Sequence, residues 1–293
     1  MNNKHSKGEI MEAMIVKGIC KNYETFKLNN VSFTLPQGFI MGFIGENGAG
    51  KTTTIKSILN IVNKDGGEVI VFGKNMDEEE INIKKNIGYI SGESFYPKKR
   101  IKDITAVFKT FFDTWDEPVY QAYLKQFNLD ENKRVYELSK GMKMKYELSL
   151  ALSHHAHLLI LDEPTSGLDP VVRDELLEIF QAIVEDGSTS VLFSTHITSD
   201  LDKCADFITF IQSGHIIDSL TKDDFIDKYR IVHGETDQLN LIKDKLISYK
   251  KNAFGFNGLI ETNKLKETDL VKYAQPTLDE IMIYFAEKEK QHA

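Results

Sequence analysis

Residues 39–60, FIMGFIGENGAGKTTTIKSILN, decide the fold. An apolar, β-rich run ends at Gly45, and from about Gly50 a helical pattern sets Ile55, Ile58, Leu59 and Val62 on one face. Between them GENGAGKT, Gly45 to Thr52, fills every position of G-x-x-x-x-G-K-[ST]. Glycines at this spacing let the backbone of Gly45, Glu46, Asn47, Gly48, Ala49 and Gly50 close round an anion with its N–H groups pointing inward. The helix that follows, through Lys51, Thr52 and Thr53, adds its positive N-terminal end. In such a loop Lys51 reaches the β- and γ-phosphates of a nucleotide, and the Thr52 hydroxyl is placed for Mg²⁺. A chance glycine-rich turn would not need a strand before it and a helix after it, so the stretch reads as a phosphate-binding loop.

On the N-terminal side, MIVKGI and VSFTL read as strands, with a turn at Pro36–Gly38. On the C-terminal side, Asp65-Gly66-Gly67 is a turn, EVIVFG a strand, and DEEEINIKK a charged helix start whose plain reading is a solvated face. Residues 94–155 read as mainly helical, with Phe108, Phe111, Phe112, Trp115, Tyr120, Tyr123 and Phe127 filling a small core. A strand (HLLILD), a helix (PVVRDELLEIFQAIVEDG), a strand (SVLFST) and another helix follow, an alternation that predicts a parallel α/β sheet. The pattern weakens after Thr221, which divides the chain into a tail over 1–13, a main domain over 14–221 and a C-terminal accessory region over 222–293.

The chain has 293 residues, 41% hydrophobic and 27% charged, as in ordinary globular proteins. A net charge of −8 speaks against broad nucleic-acid binding. Cys20 and Cys204 give neither a disulfide framework nor a metal-binding spacing, which points to a reducing, cytosolic compartment. No apolar run approaches the roughly 18–20 residues that span a bilayer, and the N-terminus lacks the apolar core of a signal peptide.

A phosphate-binding loop needs an acidic partner. HLLILDEPTSGLDP ends a strand at Asp162, with Glu163 next. Alone, two acids here would cap the following helix; beside the loop, Asp162 is placed to touch Mg²⁺ or orient its water, and Glu163 to polarise an attacking water. His196 ends the next strand and would lie near the γ-phosphate if the strands are parallel neighbours. VYELSKGMKMKYELSL, Val135 to Leu150, stays open on its own residues: a solvated helix start, or a loop that reads the end of a nucleotide bound to another molecule.

Taken in order, these parts resemble the ATP-binding-cassette (ABC) ATPase family from about Met14 to Thr221. Tyr23 resembles the aromatic that stacks on adenine, GENGAGKTT Walker A, LSKGM the signature, LLILDEP Walker B, SGLDP the D-loop, and His196 the switch histidine. The resemblance implies an α/β P-loop NTPase of ABC type, with a mixed β-rich ATP-binding core, a helical subdomain and a small C-terminal extension. It implies two cassettes paired head to tail, as a homodimer or as a heterodimer with a paralogous ATPase, each ATP held between one P-loop and the other chain's signature. Ser139 and the Gly141 amide would then meet the γ-phosphate in trans, and Asp169 would join the nucleotide site. Glu163 would be the general base, with Lys51 and His196 at the γ-phosphate. Thr52, Asp162 and a glutamine-loop residue would hold Mg²⁺.

Two departures stand out. Lys140 replaces a signature glycine; its side chain can point to solvent while its amide serves, and its charge suits a phosphate. Three residues after Tyr89, where the family has glutamine or glutamate, stands Gly92; Glu93 follows and is the preferred ligand. FFDTWDE and LSKGM are similar to the YtrB and BcrA-like group of bacterial transporter ATPases, with some likeness to staphylococcal exporters of phenol-soluble modulins. This implies MgATP hydrolysis driving export of an amphipathic or antimicrobial peptide or drug through a separate transmembrane permease, with the chain peripheral on the cytoplasmic face and no nucleic-acid partner. The competing reading is a soluble ABC ATPase in DNA repair, translation or regulation, whose relatives usually carry a long coiled coil or two cassettes. His154, His155 and His157 read as structural. Lys98, Lys99 and Arg100 read as solvated surface, and the face of Leu278, Ile281, Met282 and Phe285 as docked on the core.

Overall fold

The computed structural model describes residues 11–91, 96–266 and 271–292. The chain opens with β1 (Glu12–Asn22), β2 (Lys27–Pro36), β3 (Ile40–Ile44), α1 (Lys51–Ile58), β4 (Gly66–Val71), β5 (Lys74–Asn75), α2 (Glu80–Lys84) and β6 (Ile87–Ile90). β1 begins inside the stretch read as a tail, with Ala13 already fully buried. An antiparallel sheet has the order β2-β1-β4-β5 and buries Leu28, Val31, Phe33 and Leu35 of β2. Phe33 stacks on Phe43 of β3 at 5.3 Å, which joins this sheet to the next layer. α1 ends four residues before Val62. Asn60 takes a left-handed φ of 51°, Ile61 N donates to Lys56 O at 2.9 Å, and Asn60 N donates to Ser57 O, a Schellman stop that releases Ile61 and Val62 from the helix.

The middle segment carries α3 (Ile101–Phe108), α4 (Glu117–Gln126) and α5 (Lys140–Ser153). Asp116 caps α4 by accepting from Val119 N at 3.0 Å. Thr105 shares its hydroxyl with Tyr120 (2.8 Å) and Tyr146 (2.9 Å), so the buried phenols keep their polar ends paired. Of the aromatics expected in this core, Tyr120 and Phe127 are buried, and Phe108, Trp115 and Tyr123 pack against it half-buried. Phe111 is 64% exposed, because α3 has already ended and the short turn after it faces outward.

Next come β7 (Leu158–Asp162), α6 (Pro170–Val184), β8 (Ser190–Thr195), α7 (Thr198–Cys204), β9 (Phe207–Gln212) and β10 (His215–Thr221). The central sheet has the order β10-β9-β3-β8-β7-β6, parallel except for β10. Every residue of β3, β7 and β8 is buried, the pattern of strands covered on both faces. Register places Ile44 opposite Thr195 and Asp162 opposite Ser194, so three chain segments leave the sheet side by side at its carboxyl edge.

The last segment holds α8 (Lys222–Asp227), β11 (Tyr229–Gly234), α9 (Thr236–Ile242), β12 (Leu246–Asn252), β13 (Gly255–Glu261), β14 (Lys272–Ala274) and α10 (Leu278–His292). Its antiparallel sheet, β12-β13-β11-β14, was not legible in the sequence. Val232, Leu239, Ile242, Phe256 and Ile260 form a small core of its own. Phe225, Tyr229, Leu278, Ile281 and Phe285 belong instead to the main core. Phe285 meets Phe210 of β9 edge-on at 5.2 Å, so α10 is docked on the central sheet.

Candidate functional site

The site lies at the carboxyl edge of the central sheet, where open α/β sheets bind their ligands. β3 delivers the phosphate-binding loop, β7 delivers Asp162 and Glu163, and β8 delivers His196. Gly48 and Gly50 take φ of 86° and 114°, which glycine alone adopts readily. A Cβ on Gly50 would also stand 2.8 Å from Phe26 Cζ and 2.7 Å from Leu28 Cδ2. The β9–β10 turn braces the loop, with Gly214 N donating to Ala49 O at 3.0 Å. Glu46, Asn47, Gly48 and Thr52 are exposed and Thr53 half-exposed, while Gly45, Ala49 and Lys51 are buried.

Lys51 is folded back over its own loop. Its Nζ donates to Gly45 O at 2.7 Å and to Glu46 O at 3.2 Å, and stands 3.2 Å from Glu163 Oε1. That last contact is an ion pair without hydrogen-bond geometry, and it leaves Oε1 buried with no hydrogen-bond partner. The other oxygen, Glu163 Oε2, lies 2.8 Å from His196 Nδ1. Glu163 thus bridges the loop lysine and the β8 histidine. Its backbone is left-handed, φ 53°, and its N–H donates to Ser194 O and Oγ, each at 3.1 Å. A non-glycine residue in this region is strained, and such strain tends to gather where geometry serves function.

Asp162 is buried and accepts from Ser194 Oγ at 2.6 Å. Ser194 is a functional neighbour that the sequence reading missed; the available signal was a polar Ser-Thr pair closing the strand SVLFST just before His196. Asp200 is another. Only 1% exposed, it accepts from Thr165 Oγ1 at 2.6 Å and pairs with Arg173 Nε, so α7 is tied to the chain just beyond Glu163.

The remaining expected residues lie apart from this cluster. Tyr23 sits in the β1–β2 turn, 47% exposed, with Lys21 Nζ 5.5 Å from its ring centroid. Ser139 caps α5, its Oγ accepting from Met142 N at 3.2 Å. Gly141 is buried against Val172. Asp169 caps α6, accepting from Val171 N and Val172 N at 3.1 Å each. Among the described residues no hydrogen bond or ion pair joins Ser139, Gly141 or Asp169 to the phosphate-binding loop of their own chain. The Lys140 side chain is exposed, and its Nζ donates to Ser166 O across the surface. Gly92 and Glu93 lie outside the described residues.

Comparison with known proteins fits this geometry. The ABC transporter family model matches residues 28–166. The chain is 29% identical over 203 residues to the ABC transporter ATP-binding protein YtrB of Bacillus subtilis (strain 168), covering 69% of each. It is 29% identical over 199 residues to the bacitracin transport ATP-binding protein BcrA of Bacillus licheniformis, covering 67% of this chain and 65% of that one. Over 192 residues it is 35% identical to the lantibiotic transport ATP-binding protein SrtF of Streptococcus pyogenes, covering 65% of this chain and 82% of that one. A solved ATP-binding subunit of an ABC transporter shares the fold with a TM-score of 0.65 and 27% identity, over 72% of this chain and 91% of that one. Likeness at this level across four-fifths of SrtF, on the fold of a solved cassette, makes this chain a member of the ABC transporter family, an ATP-binding subunit and ATPase.

Proposed function

We propose that the chain hydrolyses MgATP between two cassettes to drive export of an amphipathic peptide or drug through a separate transmembrane permease. The observation that carries the chemistry is the Glu163 carboxylate, held between Lys51 and His196. With a nucleotide in the loop, the Lys51 ammonium turns from Glu163 to the β- and γ-phosphates. Glu163 is then free to accept a proton from an attacking water. His196 keeps Oε2 in place, so the water is taken up by Oε1, the oxygen that now lacks a hydrogen-bond donor.

The donors suit Mg²⁺, a hard cation that prefers oxygen: the exposed Thr52 hydroxyl in the first turn of α1 and the Asp162 carboxylate at the end of β7 would hold it. Bound there, the ion would supply charge neutralisation for the β- and γ-phosphates. Tyr23 is exposed enough to lie against adenine. Ser139, Gly141 and Asp169 face a nucleotide only if it belongs to a second cassette, a like copy or a paralogue, since within the chain they cap or pack helices.

We assign residues 14–221 to the cassette, extended at its start by Glu12 and Ala13 of β1, with the helical subdomain over about 94–155, and 222–293 to an accessory region. Among the described residues no helix is long and apolar enough to cross a membrane. On this reading the permease is a separate chain and the cassette sits peripherally on the cytoplasmic face. An apolar groove of about 390 Å³, lined by Leu59, Ile87, Tyr89, Phe112, Leu150 and His154, is offered as the seat of a cytoplasmic permease segment. The bacitracin and lantibiotic relatives support a peptide cargo. Glu163→Gln tests the chemistry: it binds ATP and turns it over at least about a hundredfold more slowly, the upper range of a general-base contribution. Near-normal turnover removes Glu163 from the role.

A further inference from the structure

Lys140 occupies a position where related signatures carry glycine, and its side chain finds a partner 26 residues away in the same chain. Its Nζ donates to the backbone carbonyl of Ser166, in the turn that joins Glu163 to α6. Two further contacts extend this one. A Cβ on Gly141 would stand 2.5 Å from Val172 Cγ1, so the first turn of α5 packs its bare backbone against the Val172 side chain of α6. One helical turn on, Lys145 pairs with Glu175 at 2.6 Å. Ser166 of the turn and Val172 and Glu175 of α6 thus receive Lys140, Gly141 and Lys145 of α5 in order.

The turn itself is weakly built. Ser166 N reaches Glu163 O at 3.3 Å, Leu168 N reaches Thr165 O at 3.2 Å, and Gly167 between them is left-handed with φ 69°. Thr165 ties the turn to α7 through Asp200 at 2.6 Å, and Lys140 ties the next residue, Ser166, to α5.

We infer that Lys140 is a positioning residue that fastens the Thr165–Asp169 turn to the signature helix of its own chain. The signature and the turn that follows the catalytic carboxylate then move as one piece, held by an ammonium in place of a glycine. Only the consequence for turnover rests on the ATPase reading; the tether itself is a property of the chain without nucleotide.

Amide hydrogen exchange on the full-length, nucleotide-free protein tests it directly. Lys140→Met should speed exchange at Ser166 and Leu168 by about three- to fivefold, the size expected when one exposed hydrogen bond to a backbone carbonyl is lost. Thr54, bonded within α1, should not change, and Lys140→Arg, which can still donate to the carbonyl, should restore protection. In steady-state assays Lys140→Met should lower kcat with KM for MgATP unchanged, and Lys140→Arg should recover kcat. Unchanged exchange at Ser166 and Leu168 in Lys140→Met overturns the tether. Faster exchange with an unchanged kcat overturns its role in turnover. A fall in kcat without faster exchange also overturns it, and assigns Lys140 to the nucleotide instead. Wild-type protein that hydrolyses no ATP counts against the reading of the site, while the exchange comparison still decides the tether.

Discussion

Replacing His154 by phenylalanine should flatten the acid limb of the protein's stability. The imidazole is 2% exposed, lies flat on Phe112 at 3.9 Å between centroids and 17° between planes, and leaves Nδ1 without a hydrogen-bond partner. Burial lowers its pKa from 6.5 to about 4; the backbone of His154 and Lys85 opposes that shift, and His155 adds to it. The folded state therefore keeps His154 neutral while the unfolded chain takes up a proton. Above pH 6.5 both states are neutral and nothing is lost; below it the unfolded state binds more protons, and stability falls until the folded pKa is reached. At 1.36 kcal/mol per pKa unit the loss is about 2 kcal/mol by pH 5 and about 3 kcal/mol by pH 4. Phenylalanine keeps the stack and removes the proton site. Urea unfolding followed by the single tryptophan, Trp115, reads this region locally, because Trp115 packs edge-on against Phe108, 6.2 Å away, which in turn touches His154. Between pH 7.5 and pH 5 the wild type should lose about 2 kcal/mol more than His154→Phe. Equal losses in the two proteins would refute the assignment of the acid limb to this ring.

Three further outcomes are expected. Phe285→Ala removes a ring packed edge-on against Phe210 at 5.2 Å and Tyr229 at 5.7 Å, and should destabilise by about 3–4 kcal/mol in chemical unfolding. Asp200→Asn keeps an acceptor for Thr165 but leaves Arg173 without its charge partner; a loss of about 2 kcal/mol in unfolding and a lower kcat are expected, and unchanged values for both would remove Asp200 from the support of the site. Ser139→Arg should abolish ATP-dependent dimerisation, read by light scattering with the slow Glu163→Gln background, while nucleotide binding by the monomer persists.

The nucleotide loop and the acidic strand end were readable because their chemistry is local. A phosphate cradle needs glycines, lysine and threonine within one turn, and a strand buried on both faces writes itself as an unbroken apolar run, as in HLLILD. The early stop of α1 was also written, in Asn60, but the apolar Ile61 and Val62 beyond it imitated one more helical turn. The sheet formed by β11 to β14 escaped because its strands carry no clean alternation: β12 reads LISYKKN with a register shift after Leu246, and all of β14 is exposed. The contacts of Ser194 with Asp162 and of Lys140 with Ser166 join residues 32 and 26 apart. Such pairs arise from sheet register and helix packing, to which a side chain's periodicity is blind.

The most direct test of the transporter assignment is to tag the chain in its native cells, solubilise the membranes gently and identify what co-purifies. A stoichiometric partner with several membrane spans is the predicted result, lost when the groove residue Leu150 is replaced by aspartate. A soluble pool bound to ribosomes or nucleic acid, with no membrane protein at comparable yield, would contradict it.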